Sequence, residues 1–321
     1  MELFRALASL LEPPTAAHRA VAGAAGLPPP PPPDRHTEVL VFQAYPYASV
    51  YLGGEGMLGG EARDRIAGFW RALGAEPPSE PDHLGCLLAA LARLADEEEA
   101  AAPDERRASA ARAARRTLFW DHVASWMPPY LSLLRRVGGG FYAAWADLAE
   151  AALAAEAAEL GPPVRLAQHL RLSEPTGDRD QRGREDPAGA GADATIAGER
   201  AGLDGCVALL LAPVRAGLAI ARDDLVRAAG ELGLGCRAGE RRHALRSLLE
   251  QDAAAVLGWL AAEARRQAGA ALASPLRPAA EWWHARASHT AGWLDRAAEA
   301  AAAAIDAGTG RAATDGGAAA R

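Results

Sequence analysis

The stretch DHLGCLLAALARL, residues 82–94, places Leu84, Leu87, Leu88, Leu91 and Leu94 at the i, i+3, i+4, i+7 spacing of a core-facing helix. Before it lies the Pro-broken, acidic EPPSEP of residues 76–81, and after it the acidic tract DEEE. A helix therefore starts at about Asp82. A carboxylate in the first turn is favoured there by the orphan amide donors and by the positive end of the helix dipole, and Ser79 three residues ahead resembles a variant capping box.

The same periodicity recurs outward along the chain. ELFRALASLL near the N-terminus is stopped by Pro13–Pro14, and EARDRIAGFWRAL carries Ile66, Phe69, Trp70 and Leu73 on one stripe. The run LPPPPPPDR favours extended polyproline geometry. Residues 39–42 read as a strand or as a buried helical turn. A helix from about residue 104 to 136 must kink or break at Pro128–Pro129, just after Trp126. FYAAWADLAEAALAAEAAEL is again helical, and four more helical patterns follow beyond residue 202, one closed by Gly233 or Gly235. With 6% aromatic residues and Ala and Leu filling the periodic segments, the expected fold is all-α, a multi-helix bundle.

Composition excludes several classes of function. The formal charge of −7 disfavours a dedicated nucleic-acid binder, which needs a concentrated basic face. The cluster RAARR, residues 112–116, reads as a solvated helix face. Three cysteines, Cys86, Cys206 and Cys236, are far apart, so neither a disulfide framework nor a zinc knuckle is indicated. No run approaches the length of a membrane span and no signal peptide is apparent, so a cytoplasmic protein without membrane insertion is expected. His122 lacks a partner at i+3 or i+4, and His284 and His289 are five apart, so no metal site is expected. Trp282, Arg286, His289 and Trp293 read as a partly buried helix face. No nucleotide or nucleophile motif occurs, and no cofactor is expected. Asp82 and His83, adjacent on a helix, point about 100° apart and do not form a relay with each other.

Residues 173–201 contain almost no large apolar side chain and read as a flexible linker. The expected organisation is a helical domain over residues 1–172, this linker, a helical region over 202–306 and a disordered tail over 307–321.

Three pieces in succession, FQAYPYASVYLGGEGMLGG, EPDHLGCLLAALARL and FWDHVASWMPPYLSLL, resemble the TorD/DmsD/NarJ-type redox-enzyme maturation chaperones over residues 1–160. The resemblance implies a non-enzymatic helical chaperone of the TorD-like type, here with an additional C-terminal helical region that either completes the bundle or forms a separate module. It implies a partner as well: the apo form of a molybdenum-cofactor oxidoreductase, held for cofactor insertion and export and often engaged through its twin-arginine signal peptide. Client contact is then expected from Tyr45, Tyr47, Tyr51, Glu80, Asp82, His83, His122 and Trp126, with Glu76, Glu80 and Asp82 suited to pairing with guanidinium groups. The oligomeric state stays open, a homodimer included. Two rival readings are a helical enzyme using Asp82, His83 and His122 as acid–base groups, and a non-catalytic helical scaffold or regulatory protein.

Overall fold

A computed structural model describes residues 1–173 and 202–318, with side chains through Ile305. The described residues form an all-α bundle without a strand. The predicted linker lies outside them apart from Ser173.

The N-terminal helices are α1 (Glu2–Ser9), α2 (Ala16–Ala24) and α3 (Pro33–Thr37), the last running into a π-helical turn, Glu38–Gln43. The ambiguous residues 39–42 thus fall in that turn. Val39 and Leu40 point into the core while Val41 and Phe42 are exposed, a split that suits a helical turn with two faces. Next come α4 (Ala48–Leu52), α5 (Gly60–Ala72), α6 (Leu84–Ala100) and α7 (Glu105–Thr117). A second π-helical turn, Leu118–Val123, carries the Trp-Asp-His piece and ends before Pro128–Pro129, which occupy the first turn of α8 (Met127–Leu160), where their missing donors cost nothing. α8 is bent at Gly139, whose φ of 63° and ψ of −164° lie outside the helical region. α9 (Gln168–Leu172) closes this half.

Beyond residue 202 lie α10 (Gly202–Leu210), α11 (Pro213–Ala216), α12 (Arg222–Leu232), α13 (Arg241–Gln251), α14 (Ala253–Ala273) and α15 (Ala279–Ala318). Gly233 ends α12 in the left-handed conformation. α15 runs to Ala318, through most of the segment expected to be an unstructured tail.

The later helices complete the bundle and also carry a core of their own. Val214, Ala219, Leu276, Ala279 and Trp283 join the same apolar cluster as Leu84, Leu87, Trp126 and Trp145. A second cluster gathers Leu210, Leu225, Leu245, Leu260 and Leu294. Polar ties cross between the halves: the Trp283 indole donates to the Ser125 carbonyl at 2.8 Å, and Arg136 reaches Asp224 at 3.1 Å.

RAARR is not simply a solvated face. Arg115 is buried and bonds Glu156 on α8 through Nε and Nη2, each at 2.6 Å, while a third nitrogen reaches Glu159 and Glu98. Its paired geometry satisfies the charge that burial would otherwise penalise. Arg116 donates to the carbonyls of Leu160 and Pro162. This register locks α7 against α8.

Candidate functional site

Tyr45-Pro46-Tyr47 enters the site extended, because a residue before proline is pushed out of the helical region. Tyr47 has φ −126° and ψ 125° and forms an isolated antiparallel bridge with His83. The Ala48 amide donates to the Asp82 carbonyl at 3.0 Å and the Leu84 amide to the Pro46 carbonyl at 2.8 Å. These bonds flank the bridging pair rather than join it, the arrangement in which facing side chains come closest. The Tyr47 and His83 rings meet edge to face, 4.9 Å between centroids.

Two helices leave from the two arms of this bridge, and the cap of the second, α6, differs from the expectation. Asp82 does not cap α6. Its Oδ2 accepts from the amide of Ser49, 33 residues earlier, at 3.1 Å, so it caps α4. α6 is capped by His83, whose Nδ1 accepts from the Gly85 amide at 3.2 Å. A Cβ at Gly85 would stand 3.0 Å from that nitrogen. Because Nδ1 accepts, the ring proton sits on Nε2. Burial lowers the His83 pKa despite the opposing field of Glu12, Glu80 and Asp82.

Three acidic groups therefore surround a neutral imidazole and a phenol. Asp82 is buried at the base, whereas Glu80 and Glu12 are exposed. Burial, and then a hydrogen bond to the Glu80 carboxylate, raise the Tyr47 pKa, which keeps the phenol protonated as a donor. Tyr47 and Tyr45 are half-buried, Tyr45 with the Arg241 guanidinium 5.8 Å from its ring centroid.

Tyr51, Trp126 and His122 lie elsewhere. Tyr51 and Trp126 are stacked in the core at 5.2 Å and present no surface to a partner. The Trp126 indole donates to the His122 carbonyl at 2.9 Å. His122 is buried against Phe69 and faces His169, a residue that sequence reasoning missed, with Nδ1 3.1 Å from its Nε2. Arg65 donates to the other ring nitrogen of His169 at 3.2 Å, which puts the His169 proton on Nε2 and makes it the donor to His122. Burial drives the His122 pKa down to about 4 and that of His169 well below its ordinary value. Among the described residues, no hydrogen bond of His122 reaches Asp82 or His83, so the three do not assemble as an acid–base set. Sequence reasoning also missed Ser49 and Glu12. The Pro-Tyr-Ala-Ser start of a helix was the available clue to Ser49, while His169, 47 residues from His122, left none.

Among the described residues no group of three or more His, Cys, Asp or Glu side chains could hold a metal ion, and no helix is long and apolar enough to cross a membrane.

Residues 42–132 match the family described as nitrate reductase delta subunit. This matched segment contains the Tyr47–His83 bridge and its two capped helices, and its similarity is to the NarJ/TorD-type chaperone family. No curated protein and no solved structure matches the chain.

Proposed function

We propose that this chain is a cytoplasmic, client-specific chaperone that holds the apo catalytic subunit of a molybdenum-cofactor oxidoreductase by its arginine-bearing N-terminal signal peptide until the cofactor is inserted. The observation that carries the reading is the acid-flanked surface at the bridge. The exposed carboxylates of Glu80 and Glu12 stand beside Tyr47 and a neutral His83 on a backbone held from below by Asp82. Carboxylates pair with guanidinium groups, and Tyr47 supplies an apolar ring with a polar tip. Tyr45 borders this surface, while Tyr51 and Trp126 support it from the core.

Titration of the full chain with the N-terminal peptide of a candidate oxidoreductase tests the proposal. Replacing Glu12 and Glu80 together by Gln should weaken binding roughly twofold to fivefold at low salt, the range of exposed ion pairs, and this difference should shrink as salt is raised. Equal affinity of wild type and double variant for a peptide that binds would remove the carboxylates from the function.

A further inference from the structure

Tyr45 already carries a guanidinium group, and it comes from the other half of the chain. Arg241, the first residue of α13, stands with its guanidinium carbon 5.8 Å from the Tyr45 ring centroid, within the range of a cation–π contact. Its Nη1 donates to the Ile220 carbonyl at 2.7 Å, which aims the group. The platform around it is fixed. Gln43 and Asp223 exchange two hydrogen bonds, Nε2 to Oδ1 at 2.6 Å and the Asp223 amide to Oε1 at 3.2 Å, and Arg136 on α8 donates to the Ala219 carbonyl at 2.8 Å. The C-terminal half thus grips the chain two residues before Tyr45 and lays an arginine on Tyr45 itself.

In an extended segment residues i and i+2 point to the same side, so Tyr45 and Tyr47 share one face. On that face Tyr45 meets Arg241 while Tyr47 bonds Glu80. Tyr45 also packs against the core, and two guanidinium groups on one ring would repel each other, so an incoming arginine reaches Tyr45 only as Arg241 leaves. We infer that Arg241 is an autoinhibitory placeholder, which occupies the Tyr45 ring in the free chain and is displaced by an arginine of the bound client. This rests on the reading of the bridge as a peptide site. Arg241 is itself partly exposed, so its displacement needs the turn of one side chain while the Gln43–Asp223 pair keeps the two halves together. The contact lowers affinity for every cationic segment, and only one whose further contacts make up the difference stays bound.

Titration of the full chain with a labelled synthetic peptide, an arginine pair ahead of a run of leucines, tests this. Arg241→Gln should bind the peptide roughly twofold to fivefold more tightly than wild type, the scale of an exposed cation–π contact. Arg242→Gln makes the same change of charge at the exposed neighbouring residue and should shift affinity by less than about 1.5-fold, because a charge that does not touch the ring acts only through screening solvent. With Tyr45→Leu as the background, Arg241→Gln should bring no gain. A role confined to holding the two halves together predicts a lower melting temperature and equal or weaker binding in Arg241→Gln, and that result overturns the placeholder while leaving the peptide site standing. An equal gain in Arg242→Gln, or a gain that persists without Tyr45, assigns the effect to net charge and also overturns it. Absence of binding by both wild type and Arg241→Gln overturns it together with the peptide-site reading.

Discussion

The chain contains two Asp–His dipeptides, Asp82–His83 and Asp121–His122, and their aspartates do the same work while their histidines do not. Asp82 accepts from the Ser49 amide at the start of α4, and Asp121 accepts from the Gln168 amide at the start of α9, 3.0 Å away. Each carboxylate anchors the first turn of a helix distant in sequence, where unpaired donors are available. The histidines part company in their partners. His83 caps its own helix at the edge of an acidic surface, whereas His122 is enclosed with His169, Arg65 and Phe69. A dipeptide of this kind is thus a structural unit on its Asp side, and its His side takes the character of the surroundings.

The comparison breaks first at His122. His122→Ala should destabilise the fold by about 3 kcal/mol, because it leaves a cavity in the core and strands the His169 donor. His83→Ala, which removes the cap of α6, should cost about 1 kcal/mol, the scale of a lost cap. Equal losses in chemical denaturation would erase the distinction between the two histidines.

Acid should separate them next. The folded-state pKa of His122 is held at about 4 by burial, below the ordinary 6.5. The unfolded chain thus takes up the proton first, and stability present above pH 6.5 is lost as the pH falls from 6.5 towards 4. The loss attributable to His122 is on the order of 3 kcal/mol. In His122→Gln the denaturation midpoint should depend less steeply on pH over that window. An unaltered slope would place the acid sensitivity elsewhere.

The aspartates should behave alike. Asp82→Ala and Asp121→Ala should each cost about 1 kcal/mol, and the corresponding Asn variants only a few tenths, since Asn caps about as well as Asp. The smallest expected effect on stability belongs to Glu80→Gln, within about 0.5 kcal/mol for an exposed residue. A large shift in its melting curve would mean that the Tyr47–Glu80 contact supports the fold rather than serving the surface.

The helices were legible because periodicity is a local property. Leu84, Leu87, Leu88 and Leu91 all end in the core, as their spacing requires. Pro128–Pro129 mark a helix start, and Gly233 marks a helix end. Around the bridge, Asp82, His83 and Tyr47 were singled out and do meet. What remained hidden was the direction of the hydrogen bonds. Asp82 precedes a strong helix and has the right chemistry to cap it, yet the bridge to Tyr47 turns its carboxylate towards α4 instead. Likewise RAARR has the composition of a solvated face, and only the approach of α8 brings Glu156 to Arg115.

The sequence by itself therefore determined the all-α class, the main helix boundaries and the segments that make up the site, since apolar spacing, proline and glycine act over a few residues. The tertiary structure alone decided which donors each carboxylate meets, which aromatic residues are core and which are surface, and that Ser49 bonds both Asp82 and the Gly59 amide of the loop before α5. Those outcomes depend on groups tens of residues apart arriving within about 3 Å, a distance set by the packing of whole helices and by no local pattern.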